Sequence, residues 1–261
     1  MSTLALPARA KPVIALAISL LVIAIYQTCQ HPAAGVLLTV LALLLSGFVA
    51  DAFTGLAHFG FDYVFPHDTP VLGPIAFEFN EHHAEPTLDP SSYVENFTKG
   101  AYASLPVSLI VLLLLNTTGG SGLSFFLVTS LLGMAIWALF FHQIHAYAHM
   151  GSTLSPEVFK ERMRQIGNLA SVSEQRRELE ELFATVPIPR PIRLLQKCRL
   201  ILSPERHNLH HLDFESDFSS VNGWSDPLLN LFLGPIARRY KLRRALQPAT
   251  ARDAPVDMQG I

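Results

Sequence analysis

The sequence predicts an all-α integral membrane protein with four transmembrane helices and a cytoplasmic, histidine-rich helical cap. Three observations carry that prediction. Four long apolar runs occupy most of the first 141 residues, the positive charge is almost confined to the C-terminal part of the chain, and most of the histidines fall at one end of the runs. Residues 1–150 hold three Lys/Arg (Arg9, Lys11 and Lys99), against sixteen in the remaining 111. Half of the chain is hydrophobic and only 15% is charged, where soluble domains carry roughly 25%. An apolar front half and a charged back half are what a membrane-embedded region plus an aqueous cap require.

The spans are expected at about 13–30, 33–56, 101–117 and 123–143. Crossing the hydrocarbon core takes about 20 apolar residues at 1.5 Å rise. The second and fourth runs meet that length. The first is slightly short, and the third is short and contains Pro106. No small-residue cleavage site follows the first run, and Arg9 and Lys11 suit an anchored cytoplasmic N-terminus at 1–12. The links QHP (30–32) and NTTGGSG (116–122) carry no Lys or Arg. By the positive-inside rule, both termini and the 54–100 loop are therefore cytoplasmic, which fits a bacterial inner membrane. A single working domain is expected over 13–245, with a charged insertion at 151–185 and a disordered tail at 246–261. Ser155 and Ser173 are candidate helix caps within the insertion. Cys29 and Cys198 fall on opposite sides of the membrane on this topology, so no disulfide is expected. There is no internal repeat and no nucleotide-binding glycine fingerprint, and no nucleic-acid partner is expected.

Of eleven histidines, His31 lies in the outer link and His67 in a polar turn. The other nine lie at the cytoplasmic ends of spans two and four or in cytoplasmic segments. HFGFD places His58 and Asp62 four apart on one helical face, and HAYAH does the same for His145 and His149. HNLHH puts His207 three and four residues before His210 and His211. His82 and His83 are adjacent and point about 100° apart if helical, which is awkward for one metal but natural for two neighbouring ones. His142 lies one turn deeper in the fourth span and is read as a core residue or as a support to the ligands rather than a ligand. Ionisable groups at membrane depth are costly and mark function.

A catalytic zinc takes three protein ligands and one open position. Eight imidazoles, with carboxylates such as Asp62, Glu81 and Asp213, fit two metals better than one. Imidazole suits zinc, iron, copper and nickel. The zinc-protease signature H-E-x-x-H is absent. Two irons at a membrane interface point to dioxygen activation against an unactivated C–H bond of a lipid chain supplied by the bilayer. The competing class is a zinc-dependent membrane lipid hydrolase. A metal transporter would place its ionisable residues within the spans, whereas here they cluster at one end.

Four segments, GLAHFGFDYV (55–64), FNEHHAEPTLDPSSYVENF (79–97), HQIHAYAHM (142–150) and LSPERHNLHHLDFESDFSSVNGWSDPLLN (202–230), resemble the histidine boxes of membrane desaturases. They are similar in particular to the Kua-type lipid desaturases. The resemblance covers about residues 45–235. It implies a centre of two iron ions held by His58, His82, His83, His145, His149, His207, His210 and His211, with Asp62 as ligand or supporting partner. It also implies O2 as co-substrate and a membrane phospholipid as substrate. The implied reaction converts an alkyl ether (plasmanyl) lipid to a vinyl ether (plasmenyl) lipid; an acyl-chain desaturase or hydroxylase is the close alternative. The family often has Asn at the position of His142, and the 151–185 segment is longer than the family pattern.

Asn222 and Asp226, and similarly Asn96, are candidates to hydrogen-bond the ligand histidines. Asp213 and Asp217 either orient the last histidine group or face water. IRLLQKCRLIL (192–202) suits a helix lying in the membrane interface, and ARRYKLRR (237–244) is a juxtamembrane basic run that attracts anionic lipid. Desaturation needs two electrons from outside. A chain without a flavin or nicotinamide fingerprint, or cysteines for a cluster, requires an external donor. A cytochrome b5-like or ferredoxin-like protein docking on the basic surface around Arg193–Arg206 fills that role.

Overall fold

A computed structural model describes residues 10–84, 88–150 and 154–246. All regular structure among them is helical, and four helices are long and apolar enough to cross a membrane. Residues 1–9 of the expected N-terminal segment, the start of the insertion at 151–153 and the tail from 247 lie outside the described residues. Cys29 and Cys198 are both free thiols.

The chain divides into two compact units, one of residues 1–50 and 89–147, the other of residues 51–88 and 148–261. In the first, helix α1 (Ala10–Cys29) packs against α4 (Tyr93–Thr117), and the unit is completed by the first half of α2 (Val36–Phe59) and by α5 (Gly122–Ala148). Its core is built from small and branched side chains: Ala17, Leu21 and Ala24 of α1 meet Ala101 and Val111 of α4 and Val128, Leu132, Ala135 and Leu139 of α5. Small residues allow helices to approach closely where no hydrophobic drive from water exists. Leucines such as Leu37, Leu113 and Leu123 are left outward, as lipid-facing residues should be.

Helix α4 begins well before its apolar run. Residues 93–100 include Glu95, Asn96, Thr98 and Lys99, yet Asn96, Thr98 and Gly100 are buried. Asn96 donates to the Asp89 carbonyl (3.1 Å) and to Gln143 Oε1 (3.2 Å), and Gln143 donates to the Pro90 carbonyl (2.9 Å). This polar knot holds the start of α4 against α5. Pro106 sits inside α4 without ending it.

The second unit holds the helices that surround the candidate site. α2 continues into it and ends in a π-helical turn, Gly60–Val64, closed by Phe65 N donating to Gly60 O at 2.9 Å. Then come α3 (Leu72–Ala84), α6 (Pro156–Gly167), α7 (Val172–Ala184), α8 (Arg190–Lys197), α9 (Pro204–Asp213) and α10 (Asp226–Leu246). The charged insertion forms α6 and α7. Ser155 caps α6, accepting from Val158 N at 3.4 Å. The cap of α7 is Ser171 rather than the expected Ser173: Ser171 Oγ accepts from Glu174 N at 3.2 Å and bonds the Glu174 carboxylate at 2.9 Å. That reciprocal S-x-x-E pairing starts the helix earlier than Ser173 would. α6, α7 and α9 share a core of Ile166, Leu179, Phe183, Val186 and Leu209. The insertion therefore buttresses the helix that carries the last three histidines.

Candidate metal centre

Five segments of the second unit present eight candidate ligand side chains. α2 presents His58 at its end and the π-helical turn presents Asp62. His82 and His83 occupy the last turn of α3, His149 follows the end of α5, and α9 carries His207, His210 and His211. They converge as two groups of four, His58, Asp62, His83 and His210 in one and His82, His149, His207 and His211 in the other. Within each group the ligand atoms lie within 4.8 Å of one another. The helical 100° step explains the division: it sends His82 and His83 to different groups, and likewise His210 and His211, while His207 and His211, four apart, share one.

The spacings are those of ligands rather than of hydrogen-bonded pairs. In the all-histidine group, His149 Nε2 lies 2.8 Å from His82 Nε2 and 2.7 Å from His207 Nε2, which lies 3.2 Å from His211 Nε2. An imidazole nitrogen has one in-plane lone pair or one N–H, so His149 Nε2 cannot serve two such neighbours as a hydrogen-bonding atom. With metal–nitrogen bonds of about 2.0–2.1 Å, neighbouring ligands on one ion sit roughly 2.9–3.4 Å apart. In the other group, His58 Nε2 and His83 Nε2 are 2.8 Å apart. Asp62 lies 3.4 Å from His83 Nδ1, 3.5 Å from His210 Nε2 and 3.9 Å from His58 Nε2. Both Asp62 carboxylate oxygens and His210 Nε2 are buried without a hydrogen-bond partner, an arrangement that costs stability unless a cation occupies the centre. Donor set, spacing and unsatisfied carboxylate all fit metal ions.

The protonation states agree. Burial, with His210 and His82 beside it, pushes His83 down to about 2, so its ring is neutral and one of its nitrogens keeps a lone pair. Burial also works against charge on His210, but the Asp62 carboxylate and the Ser216 carbonyl outweigh it and hold its pKa above the ordinary imidazole value. A cation bound beside Asp62 would displace the His210 proton and take up the Nε2 lone pair.

The loop after α9 fixes the direction of two rings. His210 Nδ1 lies 2.7 Å from the Ser216 carbonyl, to which only an N–H can bond, so the neutral ring would present its Nε2 lone pair to the group. His58 Nδ1 is held by Ser220 Oγ at 3.2 Å. The loop in turn is held on α2. Ser220 N donates to Thr54 Oγ1 (3.2 Å), and the Asp51 carboxylate, fully buried, accepts from Asn222 N (2.8 Å), Gly223 N (2.9 Å), Ser225 N (2.8 Å) and Ser225 Oγ (2.7 Å). Two glycines make this possible. A Cβ on Gly55 would collide with Leu229 Cδ1 and come within 3.3 Å of Ser219 N, and Gly223 has φ +77° with the Arg206 guanidinium packed against it.

The remaining candidates fall elsewhere. His145 belongs to the first unit, buried on α5 with its ring stacked on Phe141, and is in neither group. His142 also packs on Phe141. Asn96 forms the polar knot of the first unit. Asn222 and Asp226 act on the loop instead of an imidazole: Asn222 Oδ1 accepts from Trp224 N at 3.0 Å and Asp226 Oδ1 from Ser219 N at 2.9 Å. Glu81 is exposed, and Asp213 caps Glu215 N at 2.8 Å. Asp217 is buried, with its backbone N–H donating to Asn230 Oδ1 at 2.8 Å. Asp51, Ser216 and Ser220 were not singled out from sequence. Only Asp51 left a signal, an acid inside an apolar span.

The model of the lipid desaturase domain family matches residues 47–186. A plasmanylethanolamine desaturase of Myxococcus xanthus is 28% identical over 227 residues, 85% of this chain and 67% of that protein. No solved structure matches.

Proposed function

The chain belongs to the lipid desaturase domain family, and on that premise we propose that it converts plasmanyl to plasmenyl phospholipid at a two-iron centre. The observation that carries this reading is the pair of four-ligand groups, seven histidines and one aspartate, at the end of spanning helix α2. Family membership makes the chain a membrane lipid desaturase and an oxidoreductase. The alkyl ether as substrate rests on the M. xanthus relative's name, and the iron pair on the two groups.

Bound iron supplies the reductive activation of O2 that breaks unactivated C–H bonds. The balance is one O2, two electrons and two protons consumed, two hydrogens removed from adjacent carbons of the ether chain, and two waters formed. His58, Asp62, His83 and His210 hold one ion; His82, His149, His207 and His211 hold the other. Ser216 and Ser220 keep the rings of His210 and His58 turned inward. Phe79 meets His58 edge-on at 5.1 Å, Phe214 lies 4.9 Å from His83 and Phe218 5.4 Å from His210. This aromatic wall excludes water and lowers the local dielectric around the ligands.

The Lys/Arg distribution supports a cytoplasmic cap with both termini on that side, and a working domain of about 13–245. α8 exposes Leu194 and Leu195 and is followed by exposed Leu200, beside exposed Arg190, Lys197 and Arg199. This apolar and cationic mixture suits a helix at an anionic headgroup layer. Electrons come from an external cytochrome b5-like or ferredoxin-like donor.

The test is lipid analysis of a bacterial host that makes alkyl-ether phospholipid and expresses the full chain or its His210→Ala variant. A species 2 Da lighter than its ether precursor, acid-labile and seen only with the intact histidine, is expected. A new double bond in an ester-linked acyl chain would redirect the substrate assignment. Purified protein holding one zinc and no iron would sink the mechanism.

A further inference from the structure

Asp51, Thr54, Gly55, His58 and Asp62 fall at i, i+3, i+4, i+7 and i+11 of α2 and its π-helical turn, which is one stripe along the helix. The two ends of the stripe do different things. Asp62 joins a ligand group. Asp51 faces the 222–225 backbone and accepts four hydrogen bonds there, three of them from main-chain N–H groups. A carboxylate can accept such a set because it is acceptor-only on both oxygens. No neutral side chain of the same size can. Between the clamp and the site, Ser220 N is tied to Thr54 Oγ1 and Ser219 N to Asp226 Oδ1. The same strand of loop places Ser220 Oγ on His58 Nδ1 and the Ser216 carbonyl on His210 Nδ1.

We propose that Asp51 is a positioning residue: by clamping residues 222–225 it fixes, through Ser220 and Ser216, which nitrogens His58 and His210 turn toward their ligand group. The inference rests on the two-metal reading and sharpens it, because the two groups are affected unequally. Both rings steered by the loop belong to the group that contains Asp62. The other group, His82, His149, His207 and His211, lies on α3, the end of α5 and α9, and the clamped segment reaches α9 through Arg206, which donates to the Asn222 and Gly223 carbonyls. Asp51 therefore acts on the group of Asp62 through two of its rings and on the other only through the start of α9.

The experiment is Co2+ titration of the purified full chain in lipid nanodiscs, followed by the visible absorption of the bound ion and checked by metal analysis. Wild type is expected to bind two ions per chain in resolvable phases, of which His83→Ala abolishes one and His82→Ala the other. Asp51→Asn places an amide N–H against the N–H and O–H donors that the carboxylate had satisfied. Losing such supporting partners costs about 10–100-fold in metal affinity. The variant is expected to weaken by that factor the phase that His83→Ala removes and to move the other phase much less. Ser225→Ala deletes one of the four bonds and is a gentler probe should Asp51→Asn not purify; a several-fold weakening of the same phase is expected. Equal weakening of both phases, as a general structural role would give, or no change in either, overturns the inference. A wild type that binds a single ion overturns the two-metal reading and the inference with it.

Discussion

Leu209 lies on α9 between the ligands His207 and His210, but its side chain points away from them into the core shared with α6 and α7, where it is 1% exposed. Leu209→Ala removes three carbons from that core. At about 0.8 kcal/mol per buried methylene the transfer loss is about 2.4 kcal/mol, and the cavity left behind brings such substitutions to about 2–5 kcal/mol. At about 1.4 kcal/mol per factor of ten, a loss of about 3 kcal/mol raises the open population of this subdomain about 100-fold. Amide hydrogen exchange of the metal-free protein in nanodiscs reads this directly. Amides of α9, α6 and α7 should exchange about 100-fold faster than in wild type, while those of α1 and α4, whose core is separate, should not change. Faster exchange in α6 and α7 with α9 still protected would refute the reasoning, because α9 would then owe its order to something other than the insertion.

Two further outcomes arise from charge. Asp226 is 1% exposed, and burial, with Asp217 and Asp51 nearby, pushes its pKa up to about 7 from an ordinary 3.8. The folded state thus holds this proton more tightly than the unfolded chain does. The stability it confers is complete below about pH 4 and is lost as pH rises to about 7, by at most about 4 kcal/mol. Asp226→Asn should flatten the decline of the thermal midpoint between about pH 5 and 8 relative to wild type; parallel curves would contradict this. On the basic surface proposed for the electron donor, Arg193 is engaged internally, donating to the carbonyls of Phe183 and Val186 at 3.1 Å, and Arg206 to those of Asn222 and Gly223. That leaves Arg190, Lys197 and Arg199 exposed. Reversing Lys197 and Arg199 to Glu should raise several-fold the acidic donor concentration needed for half-maximal turnover, and an unchanged value would remove that surface from consideration.

The spans were legible because hydropathy and length suffice to specify a helix in lipid. The start of α4 was not, since residues 93–100 are held by Asn96 and Gln143, a tertiary pairing that leaves no periodic trace. Helical spacing explains why His207 and His211 fall together and His82 and His83 apart, while His58 and Asp62 meet across the junction of α2 with its π-helical turn. The i,i+4 arithmetic does not carry over to His145 and His149, which fall in different surroundings. α5 ends at Ala148, so His149 leaves the helical register and its ring joins α3 and α9 residues, while His145 stays within the helix, buried on Phe141. The Ser216 and Ser220 contacts were out of reach because a loop has no period. A backbone carbonyl orients an imidazole as well as a carboxylate does, which is why Asn222 and Asp226, chosen for their side chains, proved to hold the loop instead.

The two acids of α2 make the strongest physical case for a cation at the site. Both are buried on one face of one helix, and a buried carboxylate without partners costs several kcal/mol. At Asp51 the protein meets that cost with four donors at 2.7–2.9 Å. At Asp62, eleven residues along, the neighbours are three imidazoles at 3.4–3.9 Å, and neither oxygen is hydrogen-bonded. The fold was able to supply N–H groups to a carboxylate on this stripe and did so once. At the second position it supplied ring nitrogens, and the Ser216 carbonyl, by taking the Nδ1–H of His210, leaves the Nε2 lone pair of the neutral ring toward the centre. Lone pairs gathered around an unsatisfied carboxylate repel one another unless something positive lies between them. A proton on His210 can fill that role for one nitrogen; only a metal ion can fill it for four ligands at once.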